Sequence, residues 1–564
     1  MEISLACYAE TIGRDTQNLR PPWCKLARIN RLPTFVLALL LPTASPAEDL
    51  PDGETLQQEG AIIGEVTLEK SNVFDLSDPE ENNWLYRLAN RMHIVTKDKV
   101  INKQLLFRPG DRYSSRLVDE SERILRRNEY LFDADIAPVR YENGVVDLRV
   151  KTKEVWSLMP DIYVSRSGGE TSSRIGIEDD NFLGLGQQIN ISHTEDVDRD
   201  SDRFEIADRH LGRSWVAARL KIEDNSDGKF NLLSATRPFY ALDTRWSAGG
   251  TVFEDEHRTA LYSLGDEAAE FQQDRDFYTA FGGWSRGLQG KWVRRWTAGF
   301  TYDDNDFSEV PDPTLPATIP EDRRLAYPFI GIDLLEDEFQ VARNRDQIGK
   351  TEDFYMGTRV FASLGWADES FGSDRNALVF TARARRGIGS LDKNALLLSA
   401  LSYGRIESGD ARNAVLEASA HYYRKQSEKR LFFAKLSATK GHALDLDNPV
   451  QIGGDTGLRG YPLRYQTGDS KMLLTIEQRY FTDWYPFRFM RIGGAIFADA
   501  GRAWGTNPVG EENLGWLTNV GLGLRIAPTR FATLKIIHLD VAFPLDGDDS
   551  IDSVQVLLEA KRTF

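Results

Sequence analysis

The chain has 564 residues, 41% of them hydrophobic, a mean hydropathy of −0.42 and a formal charge of −17. It contains no run of roughly 18 apolar residues, which argues against a helical membrane protein. The acidic balance argues against a nucleic-acid-binding surface, and the length suits two or three ordinary domains or one large barrel.

The first feature is an apolar stretch over 32–42, behind Lys25, Arg28 and Arg31 and ahead of Ala44-Ser45-Pro46-Ala47. A basic flank, a short apolar core and a small-residue exit read as a secretory signal peptide over 1–47. Cys7 and Cys24 are the only cysteines and both precede that cut, so the mature chain would bring neither disulfide nor stray thiol into an oxidising compartment. Cys24 lies ahead of the apolar core and is not a lipoprotein anchor. The segment's five basic and three acidic residues leave about −19 on the remainder. Residues 48–60 read as a short linker.

Residues 61–155 form a compact α+β pattern. A strand is predicted over 62–68, and helical periodicity over 81–93 and 97–107, the latter stopped by Arg108-Pro109-Gly110. A third helix is predicted over 114–128, with Ser114 as N-cap. Two strands, 132–141 and 145–150, follow around Asn143-Gly144, a dipeptide suited to a tight hairpin. Such a module leaves an edge strand for pairing, and Ile136 and Val146 are the expected client edge.

From residue 156 onward, short alternating segments are separated by acidic, Gly- and Asn-rich turns. Met472, Leu474, Ile476 and Tyr480 oppose Thr475, Glu477 and Arg479; Leu416, Ala418 and Ala420 oppose Glu417, Ser419 and His421; Met356, Thr358, Val360 and Ala362 open a further strand. Segments of about ten residues with aromatics near their ends match tilted membrane strands. The fold class is therefore mainly β, a transmembrane antiparallel barrel over 156–564. If it both starts and ends on the periplasmic side, the strand number is even; direct counting gives about twenty, five of them after a loop at 441–470. Turns at 181–186 and 237–243 then fall on the periplasmic side, and 195–202 and 308–324 on the outer side.

That loop carries Gly453-Gly454 and then Leu458-Arg459-Gly460-Tyr461. With this tip and five strands after it, the sequence resembles the BamA/TamA outer-membrane assembly and secretion superfamily, whose barrels carry an inward-folded loop ending in this motif. The resemblance implies about sixteen strands, and a loop arginine meeting acidic residues on nearby wall strands. The matching positions are Glu477 and Asp499, which alternation also turns inward. A guanidinium forked between carboxylates is tolerable where an isolated one is costly, so Arg459 reads as a latch with Glu477 and Asp499 as acceptors. Residues 61–155 resemble a POTRA domain, with Phe107-Arg108-Pro109-Gly110-Asp111 near its inter-helix signature. The final strand alternates through Val554, Val556, Leu558, Ala560 and Arg562 to Phe564, like the signal by which barrels are recognised for insertion, with Leu558 and Phe564 on its lipid side. The single POTRA domain and the absence of room for a plug helix before it depart from the classical assembly factors and two-partner secretion transporters.

The resemblance implies an outer-membrane protein with its POTRA domain in the periplasm. Its function would be assembly, insertion or translocation of an unfolded outer-membrane or secreted polypeptide client bound by β-augmentation. Outer-membrane lipid and the barrel assembly machinery would be its other partners. A passive channel or structural barrel is the alternative reading. No nucleophile elbow, phosphate loop or metal-ligand spacing is present in the sequence, so the expectation is a non-enzyme without a cofactor.

Overall fold

The computed structural model describes residues 50–564 except 213, 311–314, 317, 511–514, 533, 534, 549 and 550. The signal peptide expected over 1–47 lies outside the described residues. The stretch read as a linker is not featureless: Asp52 accepts from the Thr55 N–H at 2.8 Å and starts helix α1 (Gly53–Gln58). Leu56 of this helix is fully buried in the first domain's core.

The first domain continues with β1 (Ile62–Ser71), α2 (Trp84–Met92), α3 (Asp98–Asn102), α4 (Ser115–Arg126), β2 (Leu131–Glu142) and β3 (Val145–Glu154). Alternation in β3 puts Val146, Leu148 and Val150 against the buried face of α4, where Leu125 is also inaccessible. Ser114 holds the N-cap position of α4 without a side-chain cap bond; Gln57 of α1 instead accepts from the Ser115 N–H at 3.0 Å. The sheet order is β1-β3-β2, with β3 parallel to β1 and antiparallel to β2.

Among the described residues, twenty strands close the barrel, Leu158–Pro160 and Tyr163–Ser167 forming one interrupted first strand because both pair with Glu170–Asp179. The count agrees with the alternation and overturns the sixteen implied by family resemblance. Five strands follow the loop: Ser470–Phe481, Met490–Trp504, Leu517–Pro528, Ile536–Pro544 and Gln555–Lys561. Strand lengths are less uniform than the sequence suggested. The seventh to ninth, Trp246–Ser263, Asp266–Gln289 and Trp292–Ser308, run 18, 24 and 17 residues. Their outward faces show why: Trp246, Trp284 and Trp296 are cross-strand neighbours at one level, Tyr278 and Tyr302 at another, and beyond those tyrosines come Asp276 and Asp304. Only the part between the aromatic levels faces hydrocarbon, and the rest extends into water on the outer side.

Large apolar side chains exposed around the wall, such as Ile177, Ile330, Leu364, Ile496 and Leu522, form an outward apolar surface of the kind a transmembrane barrel turns to lipid. No described helix is long and apolar enough to cross a membrane. The first domain docks below, at the periplasmic turns. The Lys97 N–H donates to Gly184 O at 3.0 Å and Asn181 Nδ2 to Thr96 Oγ1 at 2.8 Å. Tyr86 stacks on Phe74 at 4.1 Å, and its hydroxyl donates to Phe487 O at 2.6 Å.

One segment was misread. The strand expected from Met356 begins only at Arg359. Met356 is buried, and ahead of it Phe339–Arg343 pairs with Thr351–Tyr355 as a separate hairpin between the tenth and eleventh strands.

Candidate functional site

The loop at 441–470 leaves the fifteenth strand, pairs its own limbs from Val450↔Gly468 to Ile452↔Gln466, and turns its tip into the lumen. Leu458 and Tyr461 are inaccessible to solvent, packed with Ile452, Tyr465, Leu473 and Leu517. Gly460 approaches the wall so closely that a Cβ there would lie 2.7 Å from Asn519 Cβ. Its N–H donates to Asn519 Oδ1 at 3.2 Å, and the Tyr461 hydroxyl donates to Thr518 O at 2.7 Å.

The structure brings Arg459, Glu477 and Asp499 together. Arg459 donates through Nε and Nη2 to the two oxygens of Asp499 at 2.8 and 2.9 Å, and through Nη1 to Glu477 Oε1 at 2.9 Å. Its guanidinium lies 3.4 Å from the centroid of the Phe497 ring. Glu477 and Asp499 sit on the sixteenth and seventeenth strands, opposite the outward Ile476 and Ile496.

Three further members of the cluster were not assigned from sequence. Asp540 on the nineteenth strand stands 3.6 Å from Arg459 Nη1 and also pairs with Arg525 of the eighteenth. Arg479 donates through Nε to Glu477 Oε2 at 2.8 Å. All three are buried. Their signal was in the alternation, since Arg479 shares the inward face of Glu477, and Asp540 and Arg525 alternate with lipid-facing leucines. Three guanidinium groups and three carboxylates thus neutralise one another in the lumen, where any one alone would be strongly disfavoured. The loop is also tied elsewhere: Arg464 forks onto Asp198 of the second outer loop, and Leu463 packs so tightly on Gly168, in the first outer turn, that a Cβ there would meet its backbone N at 2.3 Å.

The expected insertion signal is placed differently. Leu558 is half-buried and pairs with Arg166 across the seam, but strand pairing ends at Lys561 and Phe564 turns inward instead of facing lipid. Its N–H donates to Asp346 O at 2.7 Å, and its ring packs 4.9 Å from Phe481. Arg562 leaves the lipid face for Glu129 of the first domain, 3.1 Å away.

The expected client edge is also corrected. Val146 lies on β3, the central strand, paired on both sides and fully buried. Ile136 is on the edge strand β2, but its side chain is buried and its N–H is taken by Glu122 of α4 at 2.6 Å; Arg126 of the same helix donates to the neighbouring Ala134 O. The edge without a neighbouring strand or helix cap of this kind is β1 beyond Val66.

The barrel seam contrasts with every other junction. The sixteenth and seventeenth strands pair from Ser470↔Trp504 to Phe481↔Gly493. The last strand meets the first through the single register pair Leu558↔Arg166. Beside it the Ala560 N–H reaches the Tyr163 hydroxyl, at 3.3 Å, rather than a backbone carbonyl.

The sequence over 93–155 matches the POTRA family, described as a surface antigen variable number repeat. No curated protein sequence matches the chain. Among solved structures the chain is similar to BamA from Haemophilus ducreyi lacking POTRA domains 1-3, at 14% identity over 88% of this chain and 84% of that one, TM-score 0.37. It is similar to CdiB from Acinetobacter baumannii at 12% identity over 89% and 73%, TM-score 0.42, and to CdiB from Escherichia coli at 11% over 89% and 76%, TM-score 0.44.

Proposed function

Taking the chain as a BamA/TamA-type outer-membrane barrel with one POTRA domain, we propose that it inserts or translocates polypeptide, and that the seam between the first and last strands is where the client engages. The seam carries this reading. In hydrocarbon an unpaired backbone N–H or C=O is costly, so barrels normally close with a full ladder. Here two short strands meet at one register pair, which leaves main-chain groups on both edges able to accept an incoming strand. Arg459 and its carboxylates would hold the loop tip against strands sixteen to nineteen, keeping that wall rigid while the seam opens. At the POTRA domain the reading favours the outer edge of β1, because α4 already occupies the edge of β2 near Ile136.

The alternative, a passive channel, is weighed down by the two segments that fill the lumen, the loop tip from the outer side and the 339–355 hairpin from the periplasmic side.

Photo-crosslinkers at the exposed Val164 and Val556 of the two seam strands, in living cells, test the proposal. The expected result is capture of outer-membrane or secreted polypeptides during their passage. Sealing the seam with the Arg166→Cys/Leu558→Cys pair should abolish that capture. If only the proteins of the chain's own biogenesis are trapped, the client reading is lost.

A further inference from the structure

Among the described residues, the hairpin between the tenth and eleventh strands has no counterpart in the barrel's other periplasmic turns, which are brief. Its limbs, Phe339–Arg343 and Thr351–Tyr355, pair antiparallel, and the connecting segment 344–350 is stapled by one buried carboxylate. Glu352 accepts from the N–H groups of Arg345, Asp346 and Gln347 at 2.8, 2.7 and 3.0 Å. A loop so stapled keeps its shape when it moves as a unit.

The hairpin starts on one side of the periplasmic mouth and reaches the other. Ile348 is buried against inward-facing residues of the opposite wall, among them Tyr423, Phe433, Phe481 and Ala495, together with Phe564. The Tyr423 hydroxyl donates to Asp346 at 3.0 Å, and Arg479 Nη1 donates to Arg345 O at 2.8 Å. The POTRA domain holds it from below. Arg126 of α4 forks onto Asp353 at 2.8 and 2.9 Å, Thr351 Oγ1 donates to Asp133 of β2 at 2.8 Å, and the Arg123 guanidinium lies 4.5 Å from the Phe339 ring centroid.

We infer that residues 339–355 are a built-in plug of the periplasmic mouth, clamped by the POTRA domain through Arg126 and Asp133 and released when that domain moves. The plug also contacts the latch, because Arg479 joins Arg345 and Asp346 on one side and Glu477, the partner of Arg459, on the other. A continuous path of ion pairs and hydrogen bonds therefore runs from POTRA helix α4 to the loop tip. Lifting the plug would take a partner from Arg479, and with it a constraint from the latch. The closed mouth would keep the barrel from leaking until a client arrives, which ties the plug to the polypeptide-handling proposal above.

Cysteine accessibility tests this without a client. Ala495→Cys places a thiol on the wall behind the plug, in the full chain reconstituted in vesicles with the POTRA domain outside and with Cys7 and Cys24 replaced. Labelling by an impermeant polyethylene-glycol maleimide is expected to be slow. Arg126→Ala should speed it by at least about tenfold, as loss of one partner of a largely buried pair implies. In a second preparation, bridging Asp133→Cys to Thr351→Cys with a bis-maleimide before the thiol at 495 is unmasked should slow labelling below the unbridged level. Unchanged labelling in both variants, with the barrel still folded by its heat-dependent gel mobility, overturns the plug. Because the readout needs no client, a moving plug with no client trapped at the seam would leave the plug standing and remove the polypeptide-handling proposal.

Discussion

The two segments that fill the lumen differ in what else holds them besides the wall. The outer loop is fastened to the barrel itself: Arg459 meets carboxylates on three wall strands, and Gly460 and Tyr461 bond to a fourth. The periplasmic hairpin also bonds the wall, through Tyr423 and Arg479, but it is tied as well to a separate domain through Arg126 and Asp133. A segment anchored in the wall can stiffen it, whereas one anchored to a second domain can be moved by that domain. The difference assigns stability to the loop and responsiveness to the hairpin, and each assignment can be broken separately.

The largest effect is expected at the loop. Arg459→Ala leaves Asp499, Glu477 and Asp540 facing one another without their shared cation, and breaking such a buried pair costs about 3–5 kcal/mol. The variant should melt at a clearly lower temperature and expose the loop to protease, while the labelling of a thiol at position 495 behind the hairpin stays slow. An unchanged melting profile would remove the loop's stabilising role. If thiol exposure instead rises as much as in Arg126→Ala, the two segments are one device and the contrast is void.

A pH change should act on the other side of the comparison. Burial pushes the Glu154 carboxyl up to about 7 from its ordinary 4.5, against hydrogen bonds from the Thr96 N–H, and pushes Asp180 up to about 9. Both groups lie where the POTRA domain meets the turn after the second strand. A folded-state pKa raised above the unfolded one means that the fold holds the proton more tightly. The stabilisation from Glu154 is thus complete below pH 4.5 and is lost as pH rises through about 7. For a fully buried carboxyl this amounts to the order of 3 kcal/mol. Between pH 5 and pH 8, hydrogen exchange should quicken at 93–97 and 180–186, with that at 458–461 unaffected; Glu154→Gln should flatten part of the dependence, and adding Asp180→Asn most of the rest. Equal quickening at both places would show that the regions are not independently held.

Gly460→Ala probes the same loop more gently. The added Cβ must displace Asn519, whose Cβ it would meet at 2.7 Å, and overpacking of this kind costs about 1–3 kcal/mol. The expected melting shift lies between those of Arg459→Ala and the wild type. A shift as large as that of Arg459→Ala would mean that the close approach, rather than the charge cluster, fixes the tip.

The same contrast governs what the sequence could reveal. The loop was legible because a short motif and strand parity both bear on it: Glu477 and Asp499 face inward by alternation alone, and so do Arg479, Arg525 and Asp540, which only lacked an assigned partner. The hairpin was not legible, since Phe339–Arg343 and Thr351–Tyr355 are five residues each, too short to show a period, and period says nothing about which sheet a strand joins. Phe564 continues the alternation of its strand, yet the ladder stops three residues earlier, the ring turns in to meet Phe481 and the N–H donates to Asp346 O. Val146 was misplaced for a related reason: a hairpin strand with apolar alternation reads alike whether it ends up at the edge or the centre of its sheet. Periodicity gives the face of a residue, but neighbours along the sheet come from long-range pairing.

The smallest effect is expected where the seam strand touches the POTRA domain. Arg562 pairs with Glu129 at 3.1 Å with its side chain 68% exposed, a geometry worth about 0–1 kcal/mol. The carbonyl of Arg562 still accepts from Gln347 of the hairpin without that side chain. Arg562→Ala should therefore leave the melting temperature within measurement error and change hydrogen exchange only at 558–564. A large loss of stability would mean that the POTRA domain holds the seam as well as the hairpin, and a single domain movement would then open both. The ranking of Arg459 above Arg562 is thus also a statement about the seam: its weakness lies in the missing ladder, and a surface ion pair does not make up for it.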